Sequence, residues 1–512
     1  MLAYTVAMAP WRAPLRSLLL SSVLAGCAAL GGCAAEPGDD SQASDSDLSM
    51  GTKAWDATAE KEWSTFIAGL GTAREAGRCT TLSQCLNDRN INPYKAADDA
   101  DLNVFADCSK VGIGLRGYFA IKTGRPFKYM SEVTGDRPAS LAPDKDPDYR
   151  YTANNHPIAW STAKSAPTMQ GLFNRISSLY HSGFYRMSAS VENSDTYPID
   201  IRPGTVRPGT VYYDPNGHVL LVYKVDINGT VHFIDGHPDN SLTFRILTSD
   251  LAVGGAAQGG GFRNFRPVDS HTLAYAPNSS LTDLGTSQYG HGAGYAEWVR
   301  FQLSGGQALS ADAQFGQLAD QLCTDIGTRV AAVDAGKQLS SGAQGELPPN
   351  IYGADGDWES FSTPGRDQKL RSSFRSIFQF VNTTAASAQG RAVLPKIATI
   401  WKQHRTSCSI TYTSSAGTPV KLTLDDIQAR LFALSFDPYA CVEMRWGATA
   451  TMGADFASCN TQDAEHLQRY KDEQSLRNVI DRPAAGTATP IGFGPATHED
   501  VDVTALIGRL TR

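Results

Sequence analysis

Apolar residues recur at helical spacing in two stretches near the start of the chain, residues 55–90 and 107–123. The first stretch is marked by Trp55, Trp63, Phe66, Ile67 and Leu70. Asp107 stands before the second stretch as a candidate N-cap, and Gly124 follows it where a C-cap glycine belongs. The pattern therefore predicts two helical regions, with Cys108 in the first turn of the second.

The pattern changes to β-branched and aromatic residues after residue 208. Three such runs are GTVYYD (209–214), HVLLVYKV (218–225) and TVHFID (230–235). The segments PNG and DINGT between them have turn composition, so the runs predict an antiparallel meander. Residues 252–294 are predicted to be glycine-rich loops.

From about residue 295 onward, helical spacing returns and dominates to the end of the chain. We therefore predict an α+β domain at 51–290, with a helix packed on an antiparallel sheet. A mainly helical domain of unknown role is predicted at 295–512. Residues 34–50, AEPGDDSQASDSDLS and its flanks, are predicted to be a disordered linker because they are polar and acidic.

Composition places the chain among globular proteins and narrows the functional classes. Of 512 residues, 41% are hydrophobic and 19% charged, and the net charge is −7. A negative chain is a poor nucleic-acid binder, so we expect no nucleic-acid partner. The sequence has no GxSxG, HExxH or P-loop motif and no zinc-like Cys/His spacing. We therefore expect neither a metal nor a cofactor.

The N-terminus has the layout of an export signal. Arg12 and Arg16 precede an apolar stretch at 18–30, and the segments LAGC and LGGC end at Cys27 and Cys33. Both segments resemble the bacterial lipobox, whose cysteine is lipidated. Residues 1–33 are therefore predicted to be a lipoprotein signal, with an ordinary secretory signal as the alternative. The resemblance implies a lipid anchor in the bacterial envelope, at the outer membrane or cell surface.

An odd number of cysteines follows the lipobox segments. The seven are Cys79, Cys85, Cys108, Cys323, Cys408, Cys441 and Cys459. Exported proteins usually pair their cysteines, so full pairing leaves one free thiol that is a candidate reactive group. Cys79 and Cys85 are close enough in sequence to predict a local disulfide, whereas the pairing of the last four stays open.

Residues typical of a nucleophilic active site lie on these predicted elements. A helix N-terminus stabilises an anion, so Cys108 is a candidate thiolate nucleophile. His218 begins a strand, and the meander returns Asp235 and His237 beside it. A thiol, an imidazole and a polar orienting group make a Cys-His-polar site. His232 is a further alternative, but strand alternation points it away from the face of Asp235.

Each of these residues also has a structural interpretation. Cys108 is then a buried core cysteine or half of a disulfide, and His218 a histidine at a strand edge. Asp235 then forms a turn ahead of Gly236. Taken together with the odd cysteine count, the pattern favours a site.

The motif DCS opening a helix, followed by PGT-VYYD-x-x-GHV on strands, resembles two bacterial cell-wall families. These are the NlpC-type papain-like cysteine peptidases and the related CHAP amidase-peptidases. The resemblance implies a papain-like domain with Cys108 and His218 catalytic, and with Asp235 or His237 where the CHAP pattern has Glu and Asn. It implies Tyr94 as a tyrosine on the oxyanion side, and peptidoglycan stem peptides as substrate. Residues 125–200 would then be an insertion.

The function expected from these features is cysteine-dependent amide hydrolysis by an exported lipoprotein. Cys108 N–H, at a helix N-terminus, is the expected oxyanion donor. One alternative is a non-catalytic surface lipoprotein with a papain-like scaffold, whose helical domain binds a protein partner. Another is acyl or transglutaminase-like transfer, in which an amine replaces water at the same site.

Overall fold

A computed structural model describes residues 48–139, 141–251, 253–348, 356–362, 364–452, 454–478 and 500–512. The predicted signal, with Cys27 and Cys33, lies outside these residues. The described chain opens with helices α1 (Ala57–Glu75), α2 (Leu82–Asn87) and α3 (Cys108–Thr123). A hairpin of β1 (Lys128–Thr134) and β2 (His156–Thr162) follows, and then helix α4 (Met169–Leu179).

The main sheet is antiparallel and has six strands within the described residues. They are β3 (Thr196–Pro198), β4 (Val211–Asp214), β5 (His218–Val225), β6 (Val231–Gly236), β7 (Leu242–Ile246) and β8 (Gly261–Phe265). Their spatial order is β3-β8-β4-β5-β6-β7, so the predicted meander β4-β5-β6 forms the middle. Strand β8 lies inside the stretch predicted to be loops, and that prediction is wrong at 261–265.

Helix α3 packs on one face of this sheet. Val111, Leu115 and Phe119 join Leu221 and Ile234 in one buried cluster. The absence of a side chain at Gly112 permits a close approach, since a Cβ there would lie 3.1 Å from Val211 Cγ1. This packing carries the first turn of α3 to the end of the sheet where β5 begins.

The opposite face of the sheet is covered as well. Tyr212, Val222 and Phe233 pack with Tyr295 and Val299 of helix α5 (Tyr295–Leu303) in a second cluster. Neighbouring residues on each strand therefore belong to different cores, as strand alternation requires.

The chain beyond α5 is mainly helical, as predicted. Its elements are α6 (Ala311–Ala335), α7 (Pro364–Ala385), α8 (Ala388–Ser407), the hairpin β9 (Ser409–Thr413) and β10 (Pro419–Thr423), α9 (Leu424–Arg430), α10 (Val442–Arg445), α11 (Ala454–Ala457), α12 (Ala464–Asn478) and α13 (Val503–Leu510). A separate buried cluster runs from Phe315 to Ile507. Mixed helices and antiparallel sheets confirm the α+β class, whereas the division at 290–295 into two domains stays a prediction.

Helix α6 meets the main sheet at its outer strand, β7. The backbone N–H of Ile246 donates a hydrogen bond to Gln321 Oε1 over 2.7 Å, and Gln317 Nε2 donates to Thr230 Oγ1 over 2.8 Å. An outer strand leaves backbone groups unpaired, and here a helix of the C-terminal half satisfies one of them.

Three pairs of cysteines lie at disulfide distance. The sulfur atoms are 2.03 Å apart in Cys79–Cys85, 2.32 Å in Cys323–Cys408 and 2.09 Å in Cys441–Cys459. These distances are compatible with disulfides. Among the cysteines that the structure describes, Cys108 alone stays outside the pairs.

None of the described helices is both long and apolar enough to cross a bilayer.

Candidate active site

Cys108 is the first residue of α3 and is partly exposed. The Asp107 side chain accepts the backbone N–H of Ser109 over 3.0 Å, which caps the helix as the sequence predicts. The Tyr185 hydroxyl donates to the Ser109 carbonyl over 3.0 Å and fixes this turn against the neighbouring segment. As the first helical residue, Cys108 has no intrahelical acceptor for its N–H, which suits an oxyanion donor.

His218 begins β5, directly after the turn at 215–217. Its ring Nε2 lies 2.8 Å from Asp235 Oδ2 on the neighbouring strand β6. Asp235 is only 2% exposed, so this hydrogen bond is shielded from water. Because Nε2 engages Asp235, the ring has Nδ1 available for Cys108.

The pKa of His218 depends on both Cys108 and Asp235. Burial alone would lower the pKa of His218, but the negative charge of Cys108 and the hydrogen bonds with Asp235 and Cys108 outweigh it. The net effect raises the pKa of His218 to about 10. The ring is therefore an imidazolium at neutral pH, placed between the sulfur of Cys108 and the side chain of Asp235.

His237 and His232, the other candidates for the orienting position, make different contacts. His237 Nε2 lies 2.9 Å from Thr243 Oγ1 and 3.6 Å from Asp235 Oδ2, and its ring centroid is 6.1 Å from that of His218. His232 Nε2 lies 2.6 Å from Asp226 Oδ2, at the other end of β6. The structure thus brings Asp235 into direct contact with His218, with His237 one hydrogen bond further away.

Gly236 allows the carboxylate strand to approach the nucleophile helix. A Cβ at this position would lie 2.3 Å from the Ala106 carbonyl oxygen and 2.7 Å from Val111 Cγ2. The end of β6 therefore lies directly against the segment that leads into α3. This contact is what holds Asp235 and Cys108 at the same end of the sheet.

Tyr94, the predicted oxyanion-side residue, lies elsewhere. Its ring centroid is 5.3 Å from those of Phe66 and Phe119. Phe119 is eleven residues after Cys108, which at 1.5 Å per residue is about 16 Å along α3. Tyr94 is therefore too far from Cys108 to stabilise an oxyanion there.

Two residues without a motif flank the start of α3. His181 interacts electrostatically with Asp107 and Lys110, and burial is the main cause that lowers the pKa of His181 to about 4. It is neutral at neutral pH, and its Nδ1 accepts the N–H of Gly183 over 3.1 Å. Phe105 is 47% exposed, and the Lys110 ammonium lies 5.8 Å from its ring centroid.

Comparisons of the chain with protein-family models, with curated proteins and with solved structures found no match. The arrangement of Cys108, His218 and Asp235 is therefore the main guide to function.

Proposed function

We propose that this protein is a cysteine-dependent amide hydrolase. The observation that carries the proposal is the place of His218, whose ring interacts with the free thiol of Cys108 and hydrogen-bonds Asp235 over 2.8 Å. Cys108 as nucleophile interacts with His218 as base, and His218 in turn is hydrogen-bonded to Asp235 as orienting group. This is the arrangement used in cysteine-based acyl transfer.

The chemistry proceeds through a thioester. The Cys108 thiolate adds to the amide carbon, and the helix N-terminus with the Cys108 N–H stabilises the oxyanion that forms. His218 gives its proton to the leaving amine as the C–N bond breaks. The neutral ring then takes a proton from water, whose oxygen attacks the thioester and releases the carboxylate and the thiolate.

A papain-like fold and peptidoglycan stem peptides are part of this proposal. They are supported by the resemblance of the Cys108 and His218 motifs to NlpC-type and CHAP enzymes. An envelope location is supported by the two lipobox-like segments and is compatible with the cysteine pairs at disulfide distance.

The test is hydrolysis of purified peptidoglycan fragments, followed by mass spectrometry of the products. We expect a new amine and a new carboxyl terminus from the wild-type protein, and no product from Cys108→Ala. The matched control is His232→Ala, which removes a histidine from the same sheet but leaves the site intact. Full activity of Cys108→Ala would refute the proposal.

The same assay separates the alternatives. Addition of an amine such as a free amino acid would divert the thioester to a new amide in a transferase. A binding scaffold would retain fragments equally in the wild-type protein and Cys108→Ala, and cleave nothing.

A further inference from the structure

We propose that Thr243 of β7 is a positioning residue for the proposed active site, and that it holds the Asp235 carboxylate in the orientation in which it binds His218. The inference rests on the proposed function for its catalytic meaning. The effect of Thr243 on the reactivity of Cys108 can also be measured without a substrate.

The pairing of β6 with the outer strand β7 places Thr243 directly opposite Asp235. Residues opposite each other in antiparallel strands have Cβ atoms about 5 Å apart, which is within reach of a hydroxyl–carboxylate bond. The Thr243 hydroxyl donates its proton to Asp235 Oδ1. Oδ2 of the same carboxylate binds His218. Rotation of the carboxylate would therefore break both contacts, so Thr243 fixes the plane that His218 meets.

A second contact sets the direction of the Thr243 hydroxyl. An ionised carboxylate can only accept, so the single hydroxyl proton points at Asp235. The Thr243 oxygen then accepts the N–H of His237, whose Nε2 lies 2.9 Å away. All three residues are more than 90% buried, so these bonds face little competition from water. The geometry gives His237 a role behind Thr243 instead of direct contact with His218.

Strand β7 is itself fastened along its outer edge. The N–H of Leu242 donates to the Thr80 carbonyl over 2.8 Å, and Arg74 Nε donates to the Leu242 carbonyl over 2.5 Å. At the other end of the strand, Ile246 N–H binds Gln321. Thr243 lies between these anchors, so its hydroxyl is presented by a strand that is held at both ends.

The experiment compares Thr243→Val, which keeps the shape but loses the hydroxyl, with Thr243→Ser, which keeps the hydroxyl. Alkylation of Cys108 by iodoacetamide is followed from acid to alkaline pH, and kcat and KM are measured on peptidoglycan fragments. A hydrogen bond to a charged group contributes enough that we expect Thr243→Val to lower kcat about tenfold, with KM little changed. The pH profile of Cys108 alkylation in this variant should shift to higher pH, because a misplaced Asp235 carboxylate stabilises the charged forms of His218 and Cys108 less. Thr243→Ser should restore both.

The control is Thr210→Val, which removes another buried hydroxyl, bound to Asn264 Oδ1 over 2.6 Å. This variant should keep the wild-type alkylation profile. A folded Thr243→Val with that same profile would overturn the inference, as would an ordinary thiol profile in the wild-type protein. Should Thr243→Val not fold, a Thr243→Ser protein with an altered profile would overturn it equally. A shifted profile in a protein that cleaves no substrate would support the inference and refute the proposed function alone.

Discussion

His218 has a different charge at neutral pH from that of an ordinary histidine. The thiol of Cys108 and the carboxylate of Asp235 interact with its ring, and together they overcome the burial that would otherwise keep it neutral. A charged ring can supply the proton that the leaving amine needs. One residue therefore links the resting state to the first chemical step.

Titration of His218 tests this linkage. The unfolded chain has a histidine pKa near 6.5, and the folded value is about 10. The protonated ring of His218 should thus contribute fully to folding stability below pH 6.5 and lose that contribution as pH rises through about 10. In Cys108→Ala the pKa of His218 should fall, because the strongest cause that raises it is gone and burial remains. Ring NMR signals measured against pH report the value, and an unchanged pKa would contradict the interaction of His218 with Cys108.

Substitution at Asp235 tests the orienting role. We expect Asp235→Asn to lower kcat about 10²-fold, because an amide can donate to the ring and hold the wrong tautomer. His237→Ala should cost less, since His237 acts through Thr243. His232→Ala should be close to wild type in initial hydrolysis rate, with circular dichroism showing that each variant folds. A silent Asp235→Asn beside an inactive His237→Ala would assign the orienting role to His237.

At the scale of the elements, the close contact between β6 and α3 holds Asp235 and Cys108 at the same end of the sheet, and Gly236 tests it. Gly236→Ala would force a Cβ against the Ala106 carbonyl oxygen, 2.3 Å away, and neither backbone can yield without moving the other. We expect a loss of about 1–3 kcal/mol in unfolding free energy, together with slower alkylation of Cys108. Gly69→Ala in α1 is the control, because its Cβ meets nothing within 4 Å. Denaturant unfolding decides, and equal stability of the two variants would contradict the close approach.

Elements with strong local signals were predictable from the sequence. Helix α3 has an N-cap at Asp107 and a left-handed C-cap at Gly124, and both were readable from residue type. Strands β4 to β6 were predictable from β-branched runs separated by turn residues. The candidate pair of His218 and Asp235 followed from that meander.

Features that depend on distant pairing were not predictable. Strand β8 inserts between β3 and β4, and its run GFRNF carries a buried Arg263 that hides the alternation of an ordinary strand. Thr243 belongs to no motif, and its contact with Asp235 exists only through the pairing of β6 with β7. The family resemblance places Tyr94 on the oxyanion side, whereas its ring packs against Phe119, far from Cys108 along α3.

At the scale of the whole molecule, the predicted anchor lies outside the described residues and needs its own test. Because two lipobox-like segments stand in tandem, Cys27→Ala alone should leave lipidation intact at Cys33. Replacement of both cysteines should release the protein from the membrane fraction. Metabolic labelling with a fatty-acid analogue measures this. An unlabelled wild-type protein would refute the lipoprotein prediction.

The cover that α6 gives to β7 has a consequence for any attempt to shorten the chain. A fragment that ends before residue 311 would retain Cys108, His218 and Asp235 but leave the N–H of Ile246 without Gln321. Open strand edges are templates on which further copies add by backbone pairing. We expect such a fragment to associate through the end of β7 near Ile246, because Leu242 at the other end stays bound to Thr80 and Arg74.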